Sequence, residues 1–440
     1  MDHRRYCKAA LAGIAAIALA SLSSAAVAQW EGKGLAPSAN TQDPAAPFHI
    51  DLAGVDMASW PPVHDPRTPG FPAAVDLPDG TLPPAGATGN FIIGPSHAPA
   101  PETVARAGVP RGRLLTFTMH SAESTIYRPG IAREERGFNQ SVFAAATAPG
   151  DPSQLLVTTS RAGTWTRIVR VYVPAQVRRG KPAPLLVIGD GDVARDGGQF
   201  YATVLDNLIA ARRIAPMVAV MIGSGGQDAQ GSERGREYDT VSGTYAQWVE
   251  SEVLPRVERE AGVALSRDPD QRAAMGISSS GVAAFTMAWF RPDLYHRVIA
   301  WSPTFVNQQW PRDPALPGGA WQYHSPWAGV APAPLDSGGF LHTGPARGPL
   351  GTPLIPASPR KPIRFWFSVG DRDLFYPVGQ MADGMHDWVL ANERVAAALA
   401  AKGYAYQFLF ARKARHADQD LIAQTLPAAL EWVWAGQRVP

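Results

Sequence analysis

Three polar residues in the second half of the chain have the types and the order needed for nucleophilic catalysis: Ser278, Asp373 and His416. A serine hydroxyl is a weak nucleophile until a neutral imidazole accepts its proton, and a buried carboxylate fixes the tautomer of that imidazole and stabilises its cation. The order Ser, Asp, His along the chain is typical of enzymes that carry such a triad on a parallel sheet. We therefore predict Ser278 as nucleophile, Asp373 as acid and His416 as base.

The residues around Ser278 predict a tight turn between a strand and a helix. In such a turn the two backbones pass so close that small residues are needed two positions before and two positions after the nucleophile. Gly276 meets the first requirement, whereas Ser280 stands where glycine is usual. A second register, with Ser279 as nucleophile, would place the bulky Ile277 two positions before it, so Ser278 is favoured. A polar loop without catalytic function is the alternative to both registers.

The predicted acid and base each follow a strand of their own. The predicted strand 363–369 leads into Asp371 and Asp373, and the predicted strand 404–410 leads to His416. Because sheets of this kind carry their sites at the carboxyl ends of parallel strands, both side chains are expected at the same edge as the nucleophile. The alternatives for Asp373 are that Asp371 is the acid or that both aspartates cap the next helix, and a surface histidine on a basic loop is the alternative for His416.

The transition state of this chemistry needs backbone N–H groups that face the developing oxyanion. We predict one donor at Ser279, directly after the nucleophile, and a second in the loop 189–192, at Gly191. Glycine lets the backbone of that loop approach a substrate closely. The alternative for residues 189–192 is a simple acidic turn.

The pattern of apolar residues predicts the sheet that would position these groups. Short apolar runs at 185–188 and 217–222 are typical of strands buried on both faces of a parallel sheet, and residues 199–212 between them have helical periodicity. Strands and helices then alternate to the end of the chain, which predicts an α/β protein with one doubly wound, mostly parallel sheet, the α/β-hydrolase fold. Further strands are predicted at 114–120, 165–173, 298–301, 363–369 and 404–410, with one more ending at Met275, and further helices at 242–260, 282–290, 387–402 and 421–434.

The N-terminus has the pattern of a secretory signal peptide. Arg4, Arg5 and Lys8 precede an apolar run at 9–20, and a stretch of small residues ends at Ala28. This order predicts a signal peptide 1–28 and export to a periplasm or to the cell exterior, with a membrane anchor as the alternative. The apolar run is short for a bilayer span, so export is favoured and no stable membrane insertion is expected after signal removal.

The rest of the chain divides into an extension, a catalytic domain and two inserts. Residues 29–108 are rich in Pro, Gly and Ala and have few periodic apolar segments, so we expect an irregular N-terminal extension partly draped on a catalytic α/β domain 109–440. Within that domain, residues 132–161 and 311–360 have a similar composition and are longer than ordinary connections. Both are predicted to be inserts, with surface decoration as the alternative to a role at the site.

The second insert is the better candidate for a cap that contacts substrate. It follows a strand on the predicted catalytic side and contains Trp321, Tyr323 and Trp327. Aromatic rings beside a site would favour an aromatic or sugar-bearing substrate. The alternative is that these rings are packing residues, which is the more common use of aromatic side chains.

Composition argues against several classes of partner and chemistry. The formal net charge is +2, and Asp2, Arg4, Arg5 and Lys8 of the signal together contribute +2, so the mature chain is formally neutral, which argues against nucleic acid as a partner. The single cysteine, Cys7, lies in the signal, so the mature protein has no disulfide and no cysteine-ligated metal. Because no two histidines have metal-ligand spacing on a predicted helix, we predict no catalytic metal and no other cofactor.

Three segments resemble a known enzyme family. They read REYDTVS at 236–242, GISSSGVAAFTMAWFRPD at 276–293 and GMHDW at 384–388. These segments are similar to the putative esterase family that includes enterochelin esterases, feruloyl esterases and esterase D, and the similarity extends from about Asn90 to the end apart from the two inserts. The family's elbow usually reads Gly-x-Ser-x-Gly-Gly, so the resemblance maps the nucleophile onto Ser278 and places Ser280 at the first paired glycine. It maps the acid onto Asp373 and the base onto His416.

The resemblance implies hydrolysis of carboxylic esters through an acyl-enzyme, without a cofactor, on a small-molecule or saccharide-linked ester. Some relatives transfer the acyl group to a sugar instead of to water, so an acyltransferase with the same triad is one alternative. A non-catalytic binding protein that kept the fold and lost activity through its altered elbow at Ser280 is another. The sequence does not predict an oligomeric state.

Overall fold

The computed structural model of the chain describes residues 73–133, 147–148, 151–156, 160–178, 180–226, 231–306, 316, 318–325, 340–342, 353–374 and 388–436, and the statements below concern those residues. The predicted signal peptide 1–28 and the first part of the predicted extension, 29–72, lie outside them. So do large parts of both predicted inserts, including Trp327.

Most of the strands in the described part of the chain belong to one large sheet. The strands are β1 Val75–Asp76, β2 Gly89–Ile93, β3 Arg113–His120, β4 Gly130–Arg133, β5 Thr147–Ala148, β6 Asp151–Leu156, β7 Ser160–Gly163, β8 Thr166–Val173, β9 Pro182–Ala183, β10 Leu185–Ile188, β11 Val218–Ile222, β12 Ala264–Leu265, β13 Arg272–Ile277, β14 Arg297–Trp301, β15 Phe340–His342, β16 Arg364–Arg372 and β17 Ala405–Arg415. Ten of them form a sheet in the order β1-β2-β17-β16-β14-β13-β10-β11-β8-β3. All neighbours are parallel except at β8, which is antiparallel to both β11 and β3.

The helices follow the strands in the alternation that the apolar pattern predicts. They are α1 Gln199–Ala210, α2 Glu233–Tyr238, α3 Thr244–Trp248, α4 Leu254–Ala261, α5 Ser279–Phe290, α6 Leu354–Ala357, α7 Trp388–Ala401 and α8 Gln419–Trp434. A π-helical turn, Val249–Val253, joins α3 to α4, so the helix predicted at 242–260 is one helical path with a widened turn. In this part of the chain no helix is both long and apolar enough to cross a membrane.

Helices bury both faces of the sheet. Along β10, Leu185 and Val187 belong to one apolar core and Leu186 and Ile188 to the other, which is why this strand is apolar throughout. The first core also receives side chains from α3, α4, α5 and α7, and the second receives them from α1 and α8. The architecture confirms the predicted doubly wound, mostly parallel α/β sheet.

The sheet begins earlier in the chain than the predicted boundary at residue 108. β2 pairs in parallel with β17, and β1 extends the edge beyond it. Within β2, Phe91 and Ile93 enter one core and Ile92 enters the other, so this short run is anchored on both faces. The expectation of an irregular extension is therefore wrong for these two strands, because three apolar residues beside an existing strand bury enough surface to pair with it.

The aromatic residues of the second insert that the structure describes are core residues. Trp321 and Tyr323 are 1% and 0% exposed. The Tyr323 ring packs edge-on against Phe285 of α5, with ring centroids 4.9 Å apart, and its hydroxyl lies 2.7 Å from the Thr286 hydroxyl. The hypothesis that these two rings contact substrate is wrong, because burial in the core leaves no surface for a ligand.

Candidate active site

Ser278 occupies the turn between β13 and α5. The strand ends at Ile277, the helix begins at Ser279, and Ser278 between them has φ 58° and ψ −125°. A positive φ is uncommon and strained for a residue with a side chain, and it is the conformation that exposes a serine at a strand-to-helix elbow. Gly276 has no room for a side chain, since a Cβ there would lie 2.1 Å from the carbonyl oxygen of Ser280. The chain therefore forms the tight turn that its sequence predicts.

The structure brings Ser278, His416 and Asp373 into one hydrogen-bonded chain. His416 Nε2 lies 2.9 Å from Ser278 Oγ, and His416 Nδ1 lies 2.6 Å from Asp373 Oδ1. An ionised carboxylate can only accept, so Nδ1 of the neutral ring carries the hydrogen and Nε2 accepts from the serine hydroxyl. Because the three residues directly follow β13, β16 and β17, all of them lie at the carboxyl edge of the sheet.

The Asp373 carboxylate is held by three donors. Its side chain is fully buried, and Oδ1 accepts from the Leu374 N–H at 2.7 Å as well as from His416. Oδ2 accepts from the Ser302 hydroxyl at 2.5 Å. These contacts fix the carboxylate plane toward the imidazole.

The alternative acid, Asp371, faces elsewhere. Asp371 is the next-to-last residue of β16, and burial there raises the pKa of its carboxyl. Its Oδ1 is buried and has no hydrogen-bond partner among the described residues. The two carboxylates therefore have different surroundings, and it is Asp373 that reaches His416.

Ser280 completes the elbow with its side chain. Its hydroxyl donates to the carbonyl of Ile277 at 2.8 Å and accepts from the Ile277 N–H at 2.9 Å. Both bonds close the turn across the strained Ser278. Serine at this position therefore preserves the elbow, which removes the structural reason for supposing that the altered motif abolished the site.

The structure does not support Gly191 as an oxyanion donor. Its N–H donates to the carbonyl of Ile222 at 2.8 Å, so this amide is committed to the neighbouring strand. The amides of Gly189, Asp190 and Val193 are also engaged, with Met275 O, the Tyr238 hydroxyl and Asp190 O respectively. Among the hydrogen bonds of the described residues, the Asp192 amide donates none. The prediction fails because the loop after β10 folds back, so that Gly191, three residues beyond the strand, bonds to the last residue of β11.

Side chains of helix α2 bind the loop 189–192. The Arg234 guanidinium binds the Asp190 carboxylate through two bonds, of 2.8 and 2.9 Å, and the Tyr238 hydroxyl accepts from the Asp190 amide at 3.0 Å. On the same helix, Glu237 forms a fully buried ion pair with Arg167. A bidentate arginine fixes orientation as well as position, so α2 sets the path of residues 189–192 past the elbow.

A buried acid lies on the same helix. Burial, and secondarily the charge of Glu237, raises the pKa of Glu233 from 4.5 to about 7. Its Oε2 accepts from the Ile131 N–H at 2.7 Å, and Oε1 is buried with no hydrogen-bond partner among the described residues. This carboxylate lies outside the Ser278 chain of contacts.

Three residues beside the triad were not predicted. Besides Ser302, Thr304 places its Oγ1 3.4 Å from Ser278 Oγ, and the Trp388 ring meets the His416 ring edge-on, with centroids 5.8 Å apart. The sequence contains a feature that could have pointed to each of these three residues. Ser302 directly follows β14, next to the nucleophile strand, and Thr304 lies two residues later; Trp388 ends the GMHDW segment.

A mostly parallel sheet, covered on both faces and carrying a serine elbow at the end of a central strand, defines the class of α/β-hydrolase-like esterases. The chain belongs to the family described as Putative esterase. The sequence model of that family matches residues 160–407, more than half of the 440 residues, and this confirms the resemblance to the family. The matched segment contains Ser278 and Asp373 and ends before His416.

Solved structures of esterases are similar to the chain. The enterochelin esterase of Shigella flexneri is 19% identical with a TM-score of 0.40, over 66% of this chain and 60% of that one. A ferulic acid esterase is 16% identical with a TM-score of 0.44, over 73% and 98%. The ferulic acid esterase of Anaeromyces mucronatus, solved with ferulic acid, is 14% identical with a TM-score of 0.44, over 76% and 95%. The chain thus spans about three fifths of the length of the enterochelin esterase. No curated protein matches the sequence significantly.

Proposed function

We propose that this protein hydrolyses carboxylic esters through a covalent acyl-enzyme on Ser278. The observation that carries the proposal is the unbroken chain of contacts from Ser278 Oγ to His416 Nε2, at 2.9 Å, and from His416 Nδ1 to Asp373 Oδ1, at 2.6 Å. The first distance lets the imidazole take the proton of the nucleophile, and the second lets the carboxylate orient the imidazole and stabilise its cation. The substrate class is a small-molecule or saccharide-linked ester.

In the acylation step, Ser278 Oγ forms a bond to the ester carbonyl carbon while His416 Nε2 accepts the hydroxyl proton. The π electrons of the carbonyl move to its oxygen, which becomes an oxyanion. Collapse of this intermediate breaks the bond to the alkoxy group, and the imidazolium returns its proton to the departing alcohol. Asp373 stabilises the imidazolium and keeps its charge without taking the proton.

Deacylation repeats the sequence with water. His416 Nε2 takes a proton from a water molecule as the water oxygen bonds to the acyl carbon. The second oxyanion collapses, the bond to Ser278 Oγ breaks, and the proton passes from His416 to the serine. The products are a carboxylic acid and the restored hydroxyl, and no cofactor enters either step.

Two backbone amides would stabilise the oxyanion. Ser279 begins α5 directly after the nucleophile, which is the position that supplies one donor in this fold. We assign the second to the Asp192 amide in place of Gly191, because the other amides of the loop donate to protein acceptors. The exposed position of Asp192 leaves this part of the loop accessible to a substrate.

Hydrolysis of model esters tests the function. Mature protein should release p-nitrophenol from p-nitrophenyl acetate and acid from methyl ferulate, and Ser278→Ala should be inactive on both. The proposal fails if the variant retains the rate of the parent protein. Product analysis with a sugar acceptor distinguishes the reactions, since transfer would produce an acylated sugar and hydrolysis only the free acid.

We further propose that the protein is exported. This rests on the basic residues, apolar run and small-residue end of segment 1–28. Expression of the full chain should yield a mature form whose mass corresponds to a start at Gln29, outside the cytoplasmic fraction. A full-length chain that remains in the cytoplasm would overturn the proposal.

A further inference from the structure

Ser302 lies where the loops of the acid and of the base meet. It directly follows β14 and is 3% exposed, and its N–H donates to the carbonyl of Ser368 on the neighbouring strand at 2.8 Å. Its hydroxyl donates to Asp373 Oδ2 at 2.5 Å and accepts from the Ala417 N–H at 3.2 Å. One oxygen atom therefore joins the carboxylate to the residue that follows His416.

The direction of these bonds is fixed by chemistry. The Ala417 amide can only donate, so the Ser302 oxygen must accept there and its single hydrogen is available for Asp373. The carboxylate then has Oδ1 committed to His416 and Oδ2 committed to Ser302. Rotation of the carboxylate would break both bonds, and movement of the histidine loop would break the bond from Ala417.

Backbone conformation gives an independent reason to assign a role to this residue. Ser302 has φ 47° and Ala417 has φ 54°, close to the 58° of Ser278, and none of the three is glycine. A residue with a side chain is strained in the left-handed backbone conformation. Such residues persist where surrounding contacts fix them, most often at functional sites. Here the bond from the Ala417 N–H to the Ser302 hydroxyl joins the two strained residues directly.

We propose that Ser302 is a positioning residue, which holds Asp373 and the His416 loop in the one arrangement that places His416 Nε2 against Ser278. The inference rests on the proposed serine mechanism and adds a fourth side chain to it. Ser302 touches no reacting atom, so its effect should pass entirely through the acid and the base. Its loss should therefore slow the activation of the serine without changing ester binding.

The test measures the rate at which a fluorophosphonate probe inactivates the protein, because this reaction requires an activated serine and no particular acyl group. Ser302→Gly removes the hydroxyl and relieves the left-handed strain, so it should fold even if Ser302→Ala does not. Both variants that fold should react roughly 10- to 100-fold more slowly, as expected for a misplaced catalytic group. On p-nitrophenyl acetate the loss should appear in kcat, with KM changed by less than about 3-fold.

A double-mutant cycle separates positioning from a general structural role. In an Asp373→Ala background, Ser302→Gly should reduce the rate by a clearly smaller factor than in the parent protein, since one of the two groups through which it acts is absent and only its bond with Ala417 remains. A buried control is Ser368→Ala, because Ser368 Oγ has no hydrogen-bond partner among the described residues, and it should react as the parent protein does.

Two results would overturn the inference. One is a Ser302→Gly protein that reacts with the probe at the parent rate. The other is that Ser302→Gly slows the reaction by the same factor in the Asp373→Ala background as in the parent protein. Failure of the proposed function would appear differently, as a parent protein that does not react or a Ser278→Ala protein that does.

Discussion

Gly189 and Ser280 fit against each other at the carboxyl edge of the sheet, since a Cβ added to Gly189 would lie only 2.5 Å from the Cβ of Ser280. Gly189 follows β10, and Ser280 lies in the first turn of α5 after the adjacent strand β13. The serine that replaces the usual elbow glycine is therefore accommodated by a glycine about ninety residues earlier. The unusual identity of Ser280 is explained by this pairing together with its two bonds to Ile277.

This pairing predicts that the two positions compensate. Gly189→Ala alone should destabilise the protein by about 1–3 kcal/mol, because the added methyl group overlaps Ser280. Ser280→Gly alone should cost about 1–2 kcal/mol through its lost hydrogen bonds and added chain entropy. The double variant should be about as stable as Ser280→Gly, as measured by urea unfolding. Strict additivity of the two losses would show that the side chains do not compete for space.

The assignment of the second oxyanion donor predicts a backbone-specific effect at Asp192. Asp192→Pro removes the N–H, whereas Asp192→Ala keeps it and removes only an exposed carboxylate. Loss of one oxyanion donor reduces kcat by about 100- to 1000-fold, so the proline variant should lose that much and the alanine variant less than about 3-fold. Equal activities of the two variants would refute the assignment, provided that both melt within a few degrees of the parent protein.

The buried Glu233 predicts a pH dependence of stability. Its pKa is about 7 in the folded protein, above the ordinary 4.5, so the folded state retains a proton that the unfolded state has lost between these values. Its contribution to stability is therefore largest below about pH 4.5 and falls as the pH rises through 7. Glu233→Gln cannot ionise and keeps an oxygen for the Ile131 N–H, so it should gain stability over the parent at pH 8, by at most on the order of 3 kcal/mol.

Urea unfolding of the parent protein and of Glu233→Gln at several pH values measures this difference. The stability difference between the two proteins should be smallest near pH 5, grow as the pH rises to about 7, and change little between pH 7 and pH 8. A difference that is constant over this range, or a variant that is less stable than the parent at pH 8, would show that ionisation of Glu233 is not the cause.

The proposed role of His416 predicts loss of activity in acid. A protonated imidazole cannot accept the serine proton, so the base must be neutral for the reaction to proceed. We expect kcat/KM for p-nitrophenyl acetate to fall between about pH 8 and pH 5, while circular dichroism shows a folded protein at both ends. A rate that is flat over this interval would contradict a histidine base.

Much of the fold and of the candidate site could be predicted from local sequence patterns. Buried parallel strands such as β10 and β11 are continuous apolar runs, because both faces of the sheet are covered. Each residue of the predicted triad follows such a strand, so the order of the strands already brings Ser278, Asp373 and His416 to one edge.

The remaining features depend on contacts between distant segments. β2 contains only three strongly apolar residues and is a strand because β17 offers it an edge. The engagement of the Gly191 amide depends on where the pairing of β10 and β11 ends. Trp321 and its aromatic neighbours looked like a cap because composition alone does not distinguish a buried loop from an exposed one.

Labelling with a fluorophosphonate probe tests the central claim most directly, with Ser279→Ala as a matched control one residue from Ser278. The parent protein and Ser279→Ala should each take up one probe molecule, mass spectrometry of their peptides should place it on Ser278, and Ser278→Ala should take up none. A labelled Ser278→Ala protein, or loss of labelling in Ser279→Ala with Ser278 intact, would contradict Ser278 as the nucleophile.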